Sequence, residues 1–125
     1  MALVALMLLL SCGSKEDQCM QTAQTYLKGM YTGDYQSARA VATGNVLKYI
    51  DSSSELLDGL NDEEKNRLLD YMGRAQYTID PIDAAAATSD TVTLHYTLQF
   101  PSREATNQTM QLRKEGKKWV VFAAD

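Results

Sequence analysis

Thr91-Val92-Thr93-Leu94-His95-Tyr96-Thr97-Leu98-Gln99-Phe100 carries the clearest two-residue period in the chain. Val92, Leu94, Tyr96, Leu98 and Phe100 alternate with Thr91, Thr93, His95, Thr97 and Gln99. Successive side chains of a strand point to opposite faces. The alternation therefore predicts a half-buried β-strand with one apolar face and one wet face. The rest of the chain must supply what covers the apolar face.

Towards the C-terminus, Met110 and Leu112 share one face of the next strand, with Thr109 and Gln111 on the other. Glu115-Gly116-Lys117 predicts a hairpin turn, with glycine supplying the positive φ. Lys118 to Ala123 is the closing strand, and it is apolar on both faces: Trp119, Val121 and Ala123 on one, Val120 and Phe122 on the other. Such a strand needs a second cover, either a covering loop or the N-terminal segment, or a homodimer contact through the outer sheet face. Upstream, Ala75, Tyr77 and Ile79 alternate up to Asp80-Pro81 and predict a first strand. The alanines Ala84 to Ala87 belong to a connection, because the run is short and turn formers follow it.

The N-terminal half reads as helical. Met20, Ala23, Leu27 and Met30 recur at helical spacing after Asp17, a candidate N-cap, and Gly33 is the stop. Asp34 is expected to cap a second helix over Tyr35 to Thr43. Val46, Leu47, Tyr49 and Ile50 begin a third apolar patch, interrupted by Asp51-Ser52-Ser53-Ser54 as a loop or a new cap. Asn61, with Glu64 three residues later, opens a helix that runs to Met72 and buries Leu68, Leu69 and Met72. Helices first and an antiparallel meander after them make an α+β domain, with the helices packed on one face of a curved sheet.

The chain has 125 residues, enough for one domain, with 45% hydrophobic and 22% charged residues. Its net charge of −4 offers no basic surface to a polyanion, which argues against nucleic-acid binding. Cys12 and Cys19 are too few and too close together for a disulfide framework. Cys19 lies beside the first helix's apolar stripe and reads as a small core residue.

Ala2 to Leu10 is an unbroken apolar run, too short to span a bilayer but suited to the core of a secretory signal. It ends in Leu9-Leu10-Ser11-Cys12-Gly13, which resembles the lipobox of bacterial lipoproteins. That resemblance implies a signal peptide over 1–11, removal of that segment, and acylation of Cys12. The membrane is then the partner, reached through the lipid on Cys12. Residues 12–17 form a lipidated tether and 18–125 the folded domain. Lys15, Glu16 and Asp17 resemble the export signal of certain Gram-negative lipoproteins. They imply a place on the outer membrane, on its cell surface or its periplasmic face.

Tyr31-Thr32-Gly33-Asp34-Tyr35, Asp90-Thr91-Val92-Thr93-Leu94 and Glu115-Gly116-Lys117-Lys118-Trp119, in this order of helices and strands, resemble the nuclear transport factor 2-like superfamily. The likeness is strongest to its small bacterial lipoproteins of unknown function. It implies a cone-shaped domain over roughly residues 18–124. Enzymes of that superfamily set acidic residues or a histidine inside the cone. Here the one histidine, His95, falls on the polar side of its strand. Asp80 and Asp83 flank Pro81 as turn residues do. No spacing identifies a metal, a phosphate loop, a cofactor or a nucleophile with its base. Tyr26, Tyr49, Tyr77 and Tyr96 lie on apolar faces and, with Trp119, are the candidate ligand-binding residues. They would serve a small amphipathic ligand near their hydroxyls. The expectation is a lipid-anchored, non-enzymatic binding or accessory module with a packed interior. The alternative is an enzyme or small-molecule-binding protein that uses the interior of the cone.

Overall fold

The computed structural model describes residues 14–83 and 89–124. Helices α1 (Lys15–Thr32), α2 (Tyr35–Ala40), α3 (Asn45–Asp58) and α4 (Asp62–Gly73) precede strands β1 (Gln76–Ile79), β2 (Thr91–Gln99), β3 (Thr106–Glu115) and β4 (Lys118–Ala124). The strands form an open antiparallel sheet in the order β1-β2-β3-β4. The α+β architecture expected from the sequence is therefore present, with the helices N-terminal to the sheet. The alanine connection 84–87 lies outside the described residues.

The alternation of β2 translates directly into burial. Val92, Leu94, Tyr96 and Leu98 are buried, while Thr91, Thr93, His95 and Gln99 are exposed. Met110 and Leu112 of β3 lie on the same inner face, in register with Leu94 and Val92. From α1 the core takes Cys19, Ala23, Tyr26, Leu27 and Met30, joined by Ala38, Val46 and Ile50 from the next two helices. Trp119 and Val121 close the same cluster from β4.

Several local expectations are corrected. Ser14, not Asp17, caps α1: its Oγ accepts the Asp17 N–H at 3.2 Å, so Lys15, Glu16 and Asp17 form the helix's first turn. Two acidic side chains at this end suit the positive end of the helix dipole. Helix α2 stops at Ala40 because the chain turns out to pair with the sheet. The Val121 N–H donates to Val41 O at 2.8 Å, and the Thr43 N–H donates to Val121 O at 3.0 Å. This segment covers the free edge of β4. Helix α3 runs unbroken through Asp51-Ser52-Ser53-Ser54. Ser53 Oγ donates back to Tyr49 O at 2.9 Å, one turn earlier, so the serine bonds within the helix instead of breaking it.

Helix α4 starts as expected, with Asn61 Oδ1 accepting the Glu64 N–H at 2.8 Å. It buries none of its residues, however, and Leu68 stays 38% exposed. The helix packs chiefly against α1 and the α1–α2 turn, and a Cβ on Gly33 would stand 2.7 Å from Leu69 Cδ2. In β4 a bulge puts Val121 opposite Leu112 but Ala123 opposite Gln111, leaving Phe122 as the extra residue. The extra residue reverses the alternation. Ala124, opposite Met110, therefore packs against the core in place of Ala123.

On the outer face of β4, Val120 is buried and Phe122 half-buried, with the Arg113 guanidinium 5.3 Å from the Phe122 ring centroid. The described ion pairs lie at the surface: Arg39–Asp51 joins α2 to α3, Lys65–Asp58 joins α4 to α3, Arg67–Glu63 and Arg74–Asp70 run along α4, and Arg113–Glu115 lies on β3. Exposed pairs of this kind contribute about 0–1 kcal/mol each.

Candidate functional site

A recess of about 200 Å³ opens between the helical layer and β2. It is built from helical stripes. Helix α1 supplies Tyr26, Leu27, Met30 and Tyr31, at positions i, i+1, i+4 and i+5 of one face. Past the Gly33 turn, α2 brings Tyr35. Tyr49, Ser53 and Leu56 follow one another along α3 at i, i+4 and i+7, with Leu57 beside them. This stripe exists only because α3 continues through its serines. Leu68 and Met72 of α4 face it one turn apart, and Tyr96 reaches in from β2. The half-exposed face of α4 is therefore the outer wall of this recess.

The mouth is apolar as well. Leu56 is 74% exposed and Tyr49 57% exposed, both larger exposures than burial would favour for such side chains. The floor is Leu27 and Tyr26, at 1% and 3% exposure. None of the side chains lining the recess among the described residues is Asp, Glu, Lys, Arg or His.

Burial holds three of these phenols neutral. Burial raises the Tyr26 hydroxyl well above its ordinary range, and the neighbouring Tyr49, Tyr96 and Tyr31 add to the effect. Tyr31 is pushed up to about 12, by burial first and then by Tyr49 and Tyr77. Tyr35 is also raised, by burial first, then by Tyr49 and the carboxylate of Asp58. A neutral tyrosine hydroxyl both donates and accepts a hydrogen bond, so the recess offers apolar surface with several two-way polar tips.

Of the five side chains expected to bind a ligand, the fold brings Tyr26, Tyr49 and Tyr96 together here. Tyr77 is not among the lining residues, and its ring centroid lies 6.2 Å from that of Tyr31. Tyr31 also meets Phe100 edge-on at 5.8 Å, and Phe100 stacks on Tyr71 at 5.3 Å, so an aromatic chain links α1 and α4 to the residue that follows β2. Trp119 lies away from the recess, 3% exposed within the core. Thr22 Oγ1 donates to its carbonyl at 3.3 Å. Its indole Nε1 is buried and finds no hydrogen-bond partner among the described residues. An unsatisfied buried donor costs about 1–3 kcal/mol, so Trp119 serves the core through its size despite that cost.

Sequence reasoning did not assign Tyr31, Tyr35, Ser53, Leu56, Leu57, Leu68 or Met72 to a site. The available signals were the i, i+4, i+7 run of Tyr49, Ser53 and Leu56 and the pair of tyrosines flanking Gly33-Asp34. Lys15 sits in the first turn of α1, its Nζ 3.4 Å from Ser89 O. Cys12 lies outside the described residues. His95 is exposed on the outer sheet face. Among the described residues no group of three His, Cys, Asp or Glu side chains could hold a metal ion, and no helix is long and apolar enough to cross a membrane.

No protein-family model matches the chain, and no curated protein matches it.

Proposed function

We propose that the chain is a lipid-anchored envelope module of the nuclear transport factor 2-like kind that binds a small apolar or amphipathic ligand in its tyrosine-lined recess. The observation that carries the binding role is the lining itself: five tyrosine rings, leucines and methionines converge on one space, with polarity only at hydroxyl tips. Small-molecule sites combine apolar walls with a few convergent polar groups in this way. An enzyme working by acid–base chemistry needs a group that titrates near the operating pH. Tyr26 and Tyr31 are pushed in the opposite direction, which favours binding over catalysis.

The anchor rests on the apolar run Ala2 to Leu10 ending at Cys12. The cone-like reading is supported by the order of four helices followed by an antiparallel meander with its apolar face towards them. The outer-membrane location rests on Lys15, Glu16 and Asp17, and a homodimer through the outer sheet face would use Phe122.

Two measurements test the proposal. A neutral single-ring probe, toluene, should bind saturably in a calorimetric titration. Its binding should weaken when Tyr49→Asp and Leu56→Asp are introduced at the exposed mouth, and equal binding by the parent and both variants would refute the site. Palmitate labelling should be lost in Cys12→Ala, and labelling that persists would refute the anchor.

A further inference from the structure

We propose that the recess takes a neutral single-ring compound of the phenol type and turns away the matching carboxylate, an inference that rests on the recess being the binding site.

Size limits the ligand first. The space is about 200 Å³. A dry apolar cavity of roughly 150 Å³ is enough for benzene, whereas drug-sized ligands occupy roughly 300–1,000 Å³. One ring with one or two small substituents therefore fills it. Leu27 and Met30 close the inner end, and the rings of Tyr26, Tyr31 and Tyr96 give such a ligand aromatic walls to lie against.

Charge limits it next. A carboxylate carried into an apolar space needs a cation or several donors to replace its water, and the lining carries no lysine, arginine or histidine. Its donors are phenols and the Ser53 hydroxyl. The charge that does reach the cluster has the wrong sign, since the Asp58 carboxylate acts on Tyr35. A ligand O–H, in contrast, meets hydroxyls that can both accept and donate, so it leaves no polar tip of the recess stranded.

Three probes of one size separate the possibilities: p-cresol, 4-methylbenzoate and benzyltrimethylammonium. Each is titrated calorimetrically at neutral pH into the full chain held in phosphatidylcholine nanodiscs, with empty nanodiscs as the blank. The expected result is saturable binding of p-cresol, tighter than 4-methylbenzoate by about tenfold or more. Tyr49→Ala and Leu56→Asp should each weaken p-cresol by about fivefold or more. Both residues are largely exposed, so the variants should keep the parent melting temperature. Carboxylate or quaternary ammonium binding as tight as the cresol, and still weakened by these variants, would overturn the ligand class while leaving the site in place. No probe responding to either variant would overturn the ligand class and the site together.

Discussion

Leu94 of β2 stands directly opposite Met110 of β3, and each is only 1% exposed. The pair lies on the inner face of the sheet, in one continuous cluster with Leu27 and Ala23 of α1. Leu94→Ala should therefore leave a hole that neighbours on two strands and a helix cannot collapse into. The expected loss is about 2–5 kcal/mol, a large part of the stability of a domain this size. Chemical denaturation of the variant checks it. A midpoint unchanged from the parent would mean that Leu94 already faces empty space.

Gly29 and Gly73 should respond to alanine with opposite signs. A Cβ on Gly29 would stand 2.8 Å from Asp34 O and 2.9 Å from Ala38 N, because α1 and α2 pass backbone against backbone there. Such overpacking costs about 1–3 kcal/mol, more than the helix-propensity gain of alanine. At Gly73 nothing lies within 4 Å of the added methyl. The substitution there should stabilise by about 0.4–1 kcal/mol through a stiffer unfolded chain and better helix propensity. Parallel urea melts of the two variants decide the matter, and a stabilising Gly29→Ala would contradict the close crossing.

These contrasts also show what could be read from the sequence. The β2 face was legible because an antiparallel strand with one wet side writes its burial as strict alternation, and Val92, Leu94, Tyr96 and Leu98 all follow it. The bulge at Phe122 was not, because no glycine or proline marks it, and the extra residue exchanges the roles of Ala123 and Ala124. By propensity the serine run in α3 reads as a loop or a new cap. Burial of Ile50 before the run and Leu57 after it carries the helix through, and Ser53 bonds back to Tyr49 O within it. The recess was legible only in part for the same reason. Tyr26, Tyr49 and Tyr96 could be picked out as tyrosines on apolar faces. Leu56, Leu68 and Met72 join them only once α3 is continuous and α4 is known to pack chiefly against α1.

Asn61 fastens the start of α4, whose Leu68 and Met72 wall the recess. Asn61→Ala removes the acceptor for the Glu64 N–H and should cost about 1 kcal/mol, whereas Asn61→Ser should restore most of it. The alanine variant should also bind the neutral single-ring probe less well, since fraying the first turn loosens the outer wall. Hydrogen exchange at Glu64 and Lys65 reads the fraying directly. Protection that is the same in parent and alanine variant would remove Asn61 from this role.

The buried thiol and phenols make the fold sensitive to alkali, and the sign follows from which form each group prefers. Cys19 is fully buried, and burial raises its thiol from 9.0 to about 11, with Lys15 opposing the rise. Tyr31 is raised from 10.0 to about 12. In both cases the folded chain keeps a proton that the unfolded chain gives up at lower pH. The stabilisation is thus complete below about pH 9 and is lost as the pH climbs through the folded-state values, at most ~1.4 kcal/mol per pH unit for each group. Urea midpoints should be flat from about pH 7 to 8.5 and fall beyond that, first as the unfolded-state thiol ionises and more steeply above pH 10.0, where the tyrosines join. In Cys19→Ala the onset should move up by about one pH unit, towards the ordinary range of the tyrosines. This shift of onset is independent of any fixed cost of the smaller side chain. Midpoints that rise with pH above 9.0, or an onset unmoved in the alanine variant, would show that Cys19 does not supply the early loss.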